Sequence, residues 1–356
     1  MEQGALRRGW TTGACAAAGA KAAFAALRCG VFADVVEIPL PAGGRAAFAL
    51  AEGALVAGGA VAGVVKDAGD DPDVTHGALV RVTVRALAAG VGVRFRAGEG
   101  VGTVTLPGLP LPPGEPAINP GPRAMIVAAL REVAPGEEGP DLEVEVAIPG
   151  GERIALGTMN ARLGIVGGLS VLGTTGVVVP YSCASWIHSI HRGVDVARAA
   201  GLGHLAGATG SVSEAAVARL HGLGEQALID MGDFAGGFLK YVRAHPVARV
   251  TVAGGPAKMT KLAQGRMDLH SRRGGVDLGR LAALCRAEGG TPALAARIEG
   301  SNTVLEAFGH AAAEGCPVGE AVARAAAAVV REVLGAGVRG DVAMFDREGG
   351  LLARTG

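Results

Sequence analysis

The sequence predicts an α/β protein with α+β character, in two parts. A mixed α+β N-terminal domain spans residues 1–158, and a doubly wound, mostly parallel α/β domain spans 159–356. Three observations predict this. Short strand patterns follow one another between Asp34 and Thr105, with period-two alternation clearest in Val80-Arg81-Val82-Thr83-Val84-Arg85. From Leu163 onward, strand-like runs alternate with glycine-rich loops and helical patterns, the signature of a parallel sheet. The length, 356 residues, suits two domains.

Composition sets limits on function. Apolar residues make up 49% of the chain and aromatics 3%, so the core has to be built from Ala, Val and Leu. Formal net charge is zero, which argues against a general nucleic-acid or membrane-surface binder. Five scattered cysteines without a CxxC pair fit a reduced, cytoplasmic protein. The uncharged stretch Leu163–Ile187 is long enough to span a bilayer, but it holds five glycines and a proline, which suits a buried α/β core better.

Taken in order, the chain opens on Arg7-Arg8-Gly9-Trp10-Thr11-Thr12-Gly13 and a helix from about Ala14 to Leu27. Thr11 or Thr12 can cap that helix, and its first-turn N–H groups beside Arg7 and Arg8 would suit an anion. Strands are expected at Val35–Leu40, Ala46–Leu50, Val61–Val65, Leu79–Leu87 and Val101–Thr105. Among them lies Lys66–Gly77, with four aspartates and His76. Its spacing fails the calcium-loop pattern. It reads as an acidic turn satisfied by its own backbone, or as a binding wall in which a carboxylate or His76 moves a proton. A segment with seven prolines, Pro107–Pro122, is extended and stiff. A helix follows to about Val133, then strands Leu142–Ile148 and Arg153–Leu156.

The second part is expected to begin with strand Leu163–Val166 and the loop Gly167–Gly176. Bare backbone N–H groups and the hydroxyls of Thr174 and Thr175 could meet a ligand there. The competing reading is a buried strand pair with glycine turns. A helix over Trp186–Ala200 follows. Next come strand His204–Ala208 with Thr209-Gly210, a Ser211/Glu214 capping box, strand Ala227–Met231 with Asp230 and Asp233 near its end, and strand Val247–Ala253 with Gly254-Gly255-Pro256. Helices are expected at Leu278–Ala287, Pro292–Ile298, Val304–Ala313 and Val318–Leu334, with a last strand Asp341–Phe345. The GxGxxG match at Gly335, Gly337 and Gly340 lies between a helix and a strand, the wrong context for a dinucleotide fingerprint. His188 and His191 could share a metal, but no third ligand is evident. Lys258–Arg273 concentrates two lysines, three arginines and His270, which reads as a site for carboxylates or phosphates or as a solvated helix face.

The runs TTGACAAAGAKAA (Thr11–Ala23), KDAGDDPDVTHG (Lys66–Gly77), GVGTVTLPGLPLPPGEPAINPGPR (Gly100–Arg123), GGLSVLGTTG (Gly167–Gly176) and KMTKLAQGRMDLHS (Lys258–Ser271) resemble the CbiD family. They are in order and spread over nearly the whole chain. Two departures are visible. Gly255-Pro256-Ala257-Lys258 stands where many members have a His-Pro-Gly-Lys-like run, and Tyr181–His191 differs from an acidic version associated with other members.

The resemblance implies a cobalt-precorrin-5B C-1 methyltransferase of the oxygen-independent cobalamin pathway, giving cobalt-precorrin-6A. S-adenosylmethionine would be the methyl donor, and cobalt would enter only as part of the substrate. Transient contact with neighbouring pathway enzymes is compatible with this; nucleic acid and membrane are not expected partners. Candidate donor-binding residues are Gly167, Gly168, Gly173, Thr174, Thr175, Gly176, Gly207, Thr209 and Gly210, with Asp230 for the ribose hydroxyls. Candidates for the carboxylate-fringed macrocycle are Arg8, Thr11, Thr12, Lys66, Asp70, Asp71, Lys258, Lys261, Arg266, His270, Ser271 and Arg272. Asp67 and His76 are candidates for proton handling. Alternative readings are a non-catalytic tetrapyrrole carrier and a nicotinamide-dependent oxidoreductase.

Overall fold

A computed structural model describes residues 6–134 and 139–356. The chain divides into two compact units, Met1–Cys183 and Ala184–Gly356. The first unit therefore extends well beyond the boundary expected near residue 158.

In the first unit, β1 (Gly9–Trp10) leads into α1 (Thr12–Cys29). Strands β2 (Val35–Pro39) and β3 (Arg45–Ala49) form an antiparallel hairpin. Then come β4 (Glu52–Val56), β5 (Gly59–Val65), β6 (Leu79–Ala86), β7 (Val93–Ala97), β8 (Thr103–Val104), α2 (Pro120–Arg131) and β9 (Leu142–Ala147). The unit closes with α3 (Gly151–Ala155), β10 (Ile165–Val166) and β11 (Val177–Val178). Its main sheet runs β4-β5-β6-β9-β7, antiparallel except for the β7–β9 pair. The alanine-rich α1 lies on β5 and β6, and α2 packs on α1. Alternate residues Val80, Val82, Val84, Val144 and Val146 face this core.

Several expectations fail here for local reasons. The expected strand Arg153–Leu156 falls largely in α3, a helix too short to display a 3.6-residue period. Strand β4 lies outside the expected strands because it is an exposed edge without a buried face. The run Leu163–Val166 does not open the parallel sheet. Its residues Ile165 and Val166 pair antiparallel with β8, while β11 pairs antiparallel with β1.

The second unit carries most of α4 (Cys183–Ala199), then β12 (His204–Ala208), α5 (Ser211–His221), β13 (Leu228–Asp230), α6 (Ala235–Ala244), β14 (Arg249–Gly254) and α7 (Pro256–Ala263). It ends with α8 (Leu278–Ala287), α9 (Pro292–Glu299), α10 (Val304–Ala313), α11 (Val318–Leu334), β15 (Arg339–Phe345) and β16 (Leu351–Arg354). The sheet order is β13-β12-β14-β15-β16. The first four strands are parallel, and β16 is an antiparallel edge strand beyond those expected from the sequence. Helix α5 covers one face through Ala216 and Val217. The larger core, with Phe238, Leu239, Met259 and Val322, lies in a separate cluster that draws on α4 and α6–α11. Because β13 and β14 flank β12 on opposite sides, the strand order reverses there. A crevice at the carboxyl ends of β12 and β14 is where such sheets receive ligands.

Candidate functional site

At the reversal point, β12 ends in Thr209-Gly210 and β14 in Gly254-Gly255-Pro256, each followed by a helix. The Thr209 N–H donates to Ala253 O (3.0 Å), tying the two loops together. Lys258 Nζ donates to Thr209 O (2.7 Å) and lies 3.2 Å from Asp233 Oδ1, so it bridges the ends of β12 and β13. Gly210 is exposed with open space where a side chain would project. Asp230 is the last residue of β13. Thus Thr209, Gly210, Asp230 and Lys258 share the carboxyl edge of one sheet. The expected capping box is absent: Gly210 is the N-cap, and Ser213 Oγ donates back to Gly210 O (2.8 Å).

Other candidates are occupied by the fold itself. Gly207 makes room for a ring: a Cβ there would sit 2.4 Å from Phe238 Cε1. Lys261 is buried, its Nζ donating to Leu269 O (3.0 Å), so it is not presented to a ligand. Arg266 Nη1 donates to Arg273 O (3.3 Å), and His270 Nδ1 accepts the Arg272 N–H (3.1 Å) within an exposed turn that includes Ser271. His191 stacks on Tyr241 (3.8 Å between centroids), whose hydroxyl donates to Asp195 (2.8 Å). Among the described residues, no group of three or more His, Cys, Asp or Glu side chains is placed to hold a metal ion.

The glycine-threonine loop belongs to the first unit, so it is not the strand–loop–helix element expected of a parallel sheet. It wraps the start of α1. Gly13 N–H donates to Leu172 O (3.2 Å), and Thr11 N–H donates to Gly176 O (3.0 Å). Gly173 has φ +116°, and a Cβ there would meet Thr11 Cβ at 2.4 Å. Gly168 lies against the Gly100 carbonyl, while Gly167, Thr174 and Thr175 are exposed. Thr175 Oγ1 bonds to Val177 O (3.1 Å). Thr11 caps α1 through its Oγ1 (3.2 Å to Ala14 N), and both Thr11 and Thr12 are buried.

The acidic segment is tightly organised. Buried Lys66 pairs with Asp73 and donates to Thr75 Oγ1 (2.7 Å). Asp67 pairs with Arg7, Asp70 accepts the Arg7 N–H (2.6 Å), and Asp71 accepts the Tyr181 N–H (2.8 Å). The Arg7 guanidinium, with help from the Gly69 N–H, holds the Asp67 carboxyl at about 2. A carboxylate so acidic is a poor proton carrier near neutrality. His76 Nδ1 accepts the Ala68 N–H (3.1 Å), and Arg8 and His76 are exposed.

Residues 1–180 match the CbiD family model, and residues 268–356 match the model of the CbiD C-terminal domain. The chain belongs to the CbiD family. Its CbiD relatives include a cobalt-precorrin-5B C(1)-methyltransferase of Bradyrhizobium sp. (strain BTAi1), 61% identical over 98% of this chain and 93% of the relative. The protein of that name from Methylorubrum extorquens is 62% identical over 99% of this chain and 98% of its own. A solved structure titled cobalamin biosynthesis protein (cbiD), from Archaeoglobus fulgidus, is 26% identical, covering 75% of this chain and 83% of its own at a TM-score of 0.41. No helix among the described residues is long and apolar enough to cross a membrane.

Proposed function

We propose that this chain is a C-methyltransferase that methylates C-1 of cobalt-precorrin-5B in cobalamin biosynthesis. The supporting observation is 61–62% identity, along 98–99% of the chain, to relatives named for that reaction. S-adenosylmethionine, when bound, supplies an electrophilic methyl group. The carboxyl edge of the second unit's sheet fits it. Gly210 leaves space at a helix N-terminus, and Asp230 lies twenty residues further on at a strand end, where an acid takes ribose hydroxyls. Lys258, fixed by Thr209 and Asp233, holds the two strand ends in register. The acceptor is an electron-rich ring carbon, so the chain's main task is orientation, worth up to ~7–11 kcal/mol in favourable cases. In the same unit, exposed Arg272 is a cation offered to substrate carboxylates.

The test combines turnover and binding. Incubation with methyl-labelled S-adenosylmethionine and cobalt-precorrin-5B should place one labelled methyl on the product. Titration calorimetry should detect S-adenosylhomocysteine but not NAD. Gly210→Val, at an extended backbone position (φ 165°), should abolish that heat while lowering the melting temperature only by the few degrees that a lost N-cap costs, about 1 kcal/mol. Undiminished binding by Gly210→Val would move the donor away from this edge; unlabelled product would refute the activity.

A further inference from the structure

We infer that Trp186 is the stacking platform for the adenine ring of the methyl donor, an inference that rests on the methyltransferase reading above. Strand β13 is the edge of its sheet, and Asp230 ends it. A ribose held at that end leaves the base to lie at the sheet's outer edge. Trp186, in the first turn of α4, is there: its indole Nε1–H donates to Asp230 O (3.2 Å). The ring also covers Gly232, where φ is +52° and a Cβ would come within 3.3 Å of the indole. Phe234 meets it tilted, 6.4 Å between centroids. Three neighbours, at the end of β13 and just after it, thus orient the indole, yet 47% of the residue stays exposed. An oriented, half-open indole offers its π face to another planar ring.

The protein has two tryptophans, and Trp10 meets Phe48 at a tilt in the first unit, so Trp10→Phe leaves Trp186 as the sole indole reporter. In that background, S-adenosylhomocysteine and adenosine should both change the indole emission, with midpoints matching the calorimetric Kd, and L-homocysteine should not. Trp186→Ala should raise the Kd roughly fivefold to a hundredfold, as loss of one base–aromatic stack does, and Trp186→Phe should restore most of it. Wild-type heat with unchanged emission and an unchanged Kd in Trp186→Ala would overturn the platform while leaving the methyltransferase reading intact. An emission change with homocysteine alone would place the amino-acid end at Trp186 and also overturn it. No heat with any of these ligands would overturn the donor site and the platform together.

Discussion

Replacing Gly207 by alanine separates packing from ligand binding. The added Cβ would lie 2.4 and 2.7 Å from two carbons of the Phe238 ring and 3.0 Å from Met231 Sδ. Carbon pairs settle near 3.5–4.0 Å, so the ring has to retreat by ~1 Å. Phe238 is fully buried in the same core as Met231, Leu239 and Val252. Overpacking of this kind costs ~1–3 kcal/mol. For a unit of this size that is a melting-temperature fall of roughly 4–8 °C at ~2 kcal/mol. Scanning calorimetry should show the fall. Titration with S-adenosylhomocysteine, well below the transition, should give an unchanged Kd. Adding Phe238→Leu should recover part of the loss by vacating the ring position. Full stability combined with lost binding would refute the reasoning and return Gly207 to the ligand.

Lys261→Ala should lower stability by about 2 kcal/mol through loss of a buried charge-assisted bond, measured by urea titration, with the KM for the macrocycle unchanged. Lys66→Met strands Asp73 beside Thr75 and should cost ~3 kcal/mol, as broken buried pairs do; Lys66→Met/Asp73→Asn should cost less than the single change. Burial, then the neighbouring Arg249, pushes the His204 imidazole from 6.5 down to about 4. The unfolded chain binds the extra proton between those values, so this contribution is full above pH 6.5 and is lost as pH falls to about 4. His204→Gln should therefore flatten the melting-temperature decline across that window; an equally steep decline would assign it to other groups.

How far the sequence can be read depends on how local the determining contact is. Helices α8, α10 and α11 lie where their periodicity puts them, because that pattern is internal to each segment. The segment 163–178 belongs to the first unit, against the sequence expectation, because its two short strands pair with β8 and β1, far away in sequence, and nothing in GGLSVLGTTG names those partners. Lys258 and Lys261, three residues apart, read as one basic face in the sequence. Only the tertiary structure shows that one reaches the sheet's edge and the other a buried carbonyl at Leu269. Trp186 carried too little local signal: a lone aromatic at the start of a helix gains meaning only from the Asp230 carbonyl beside it.

Helix α1 has a consequence for how this protein tolerates change. Ala14, Ala16, Ala17, Ala18, Ala20, Ala23 and Ala26 are all completely buried. Most of the amino-acid changes that one nucleotide substitution can make in an alanine codon yield a larger side chain, a charge or proline. An element held together by the smallness of its residues thus has almost no neutral neighbours in sequence space. A saturation library selected for folded protein should be emptiest there, with glycine and serine its principal survivors.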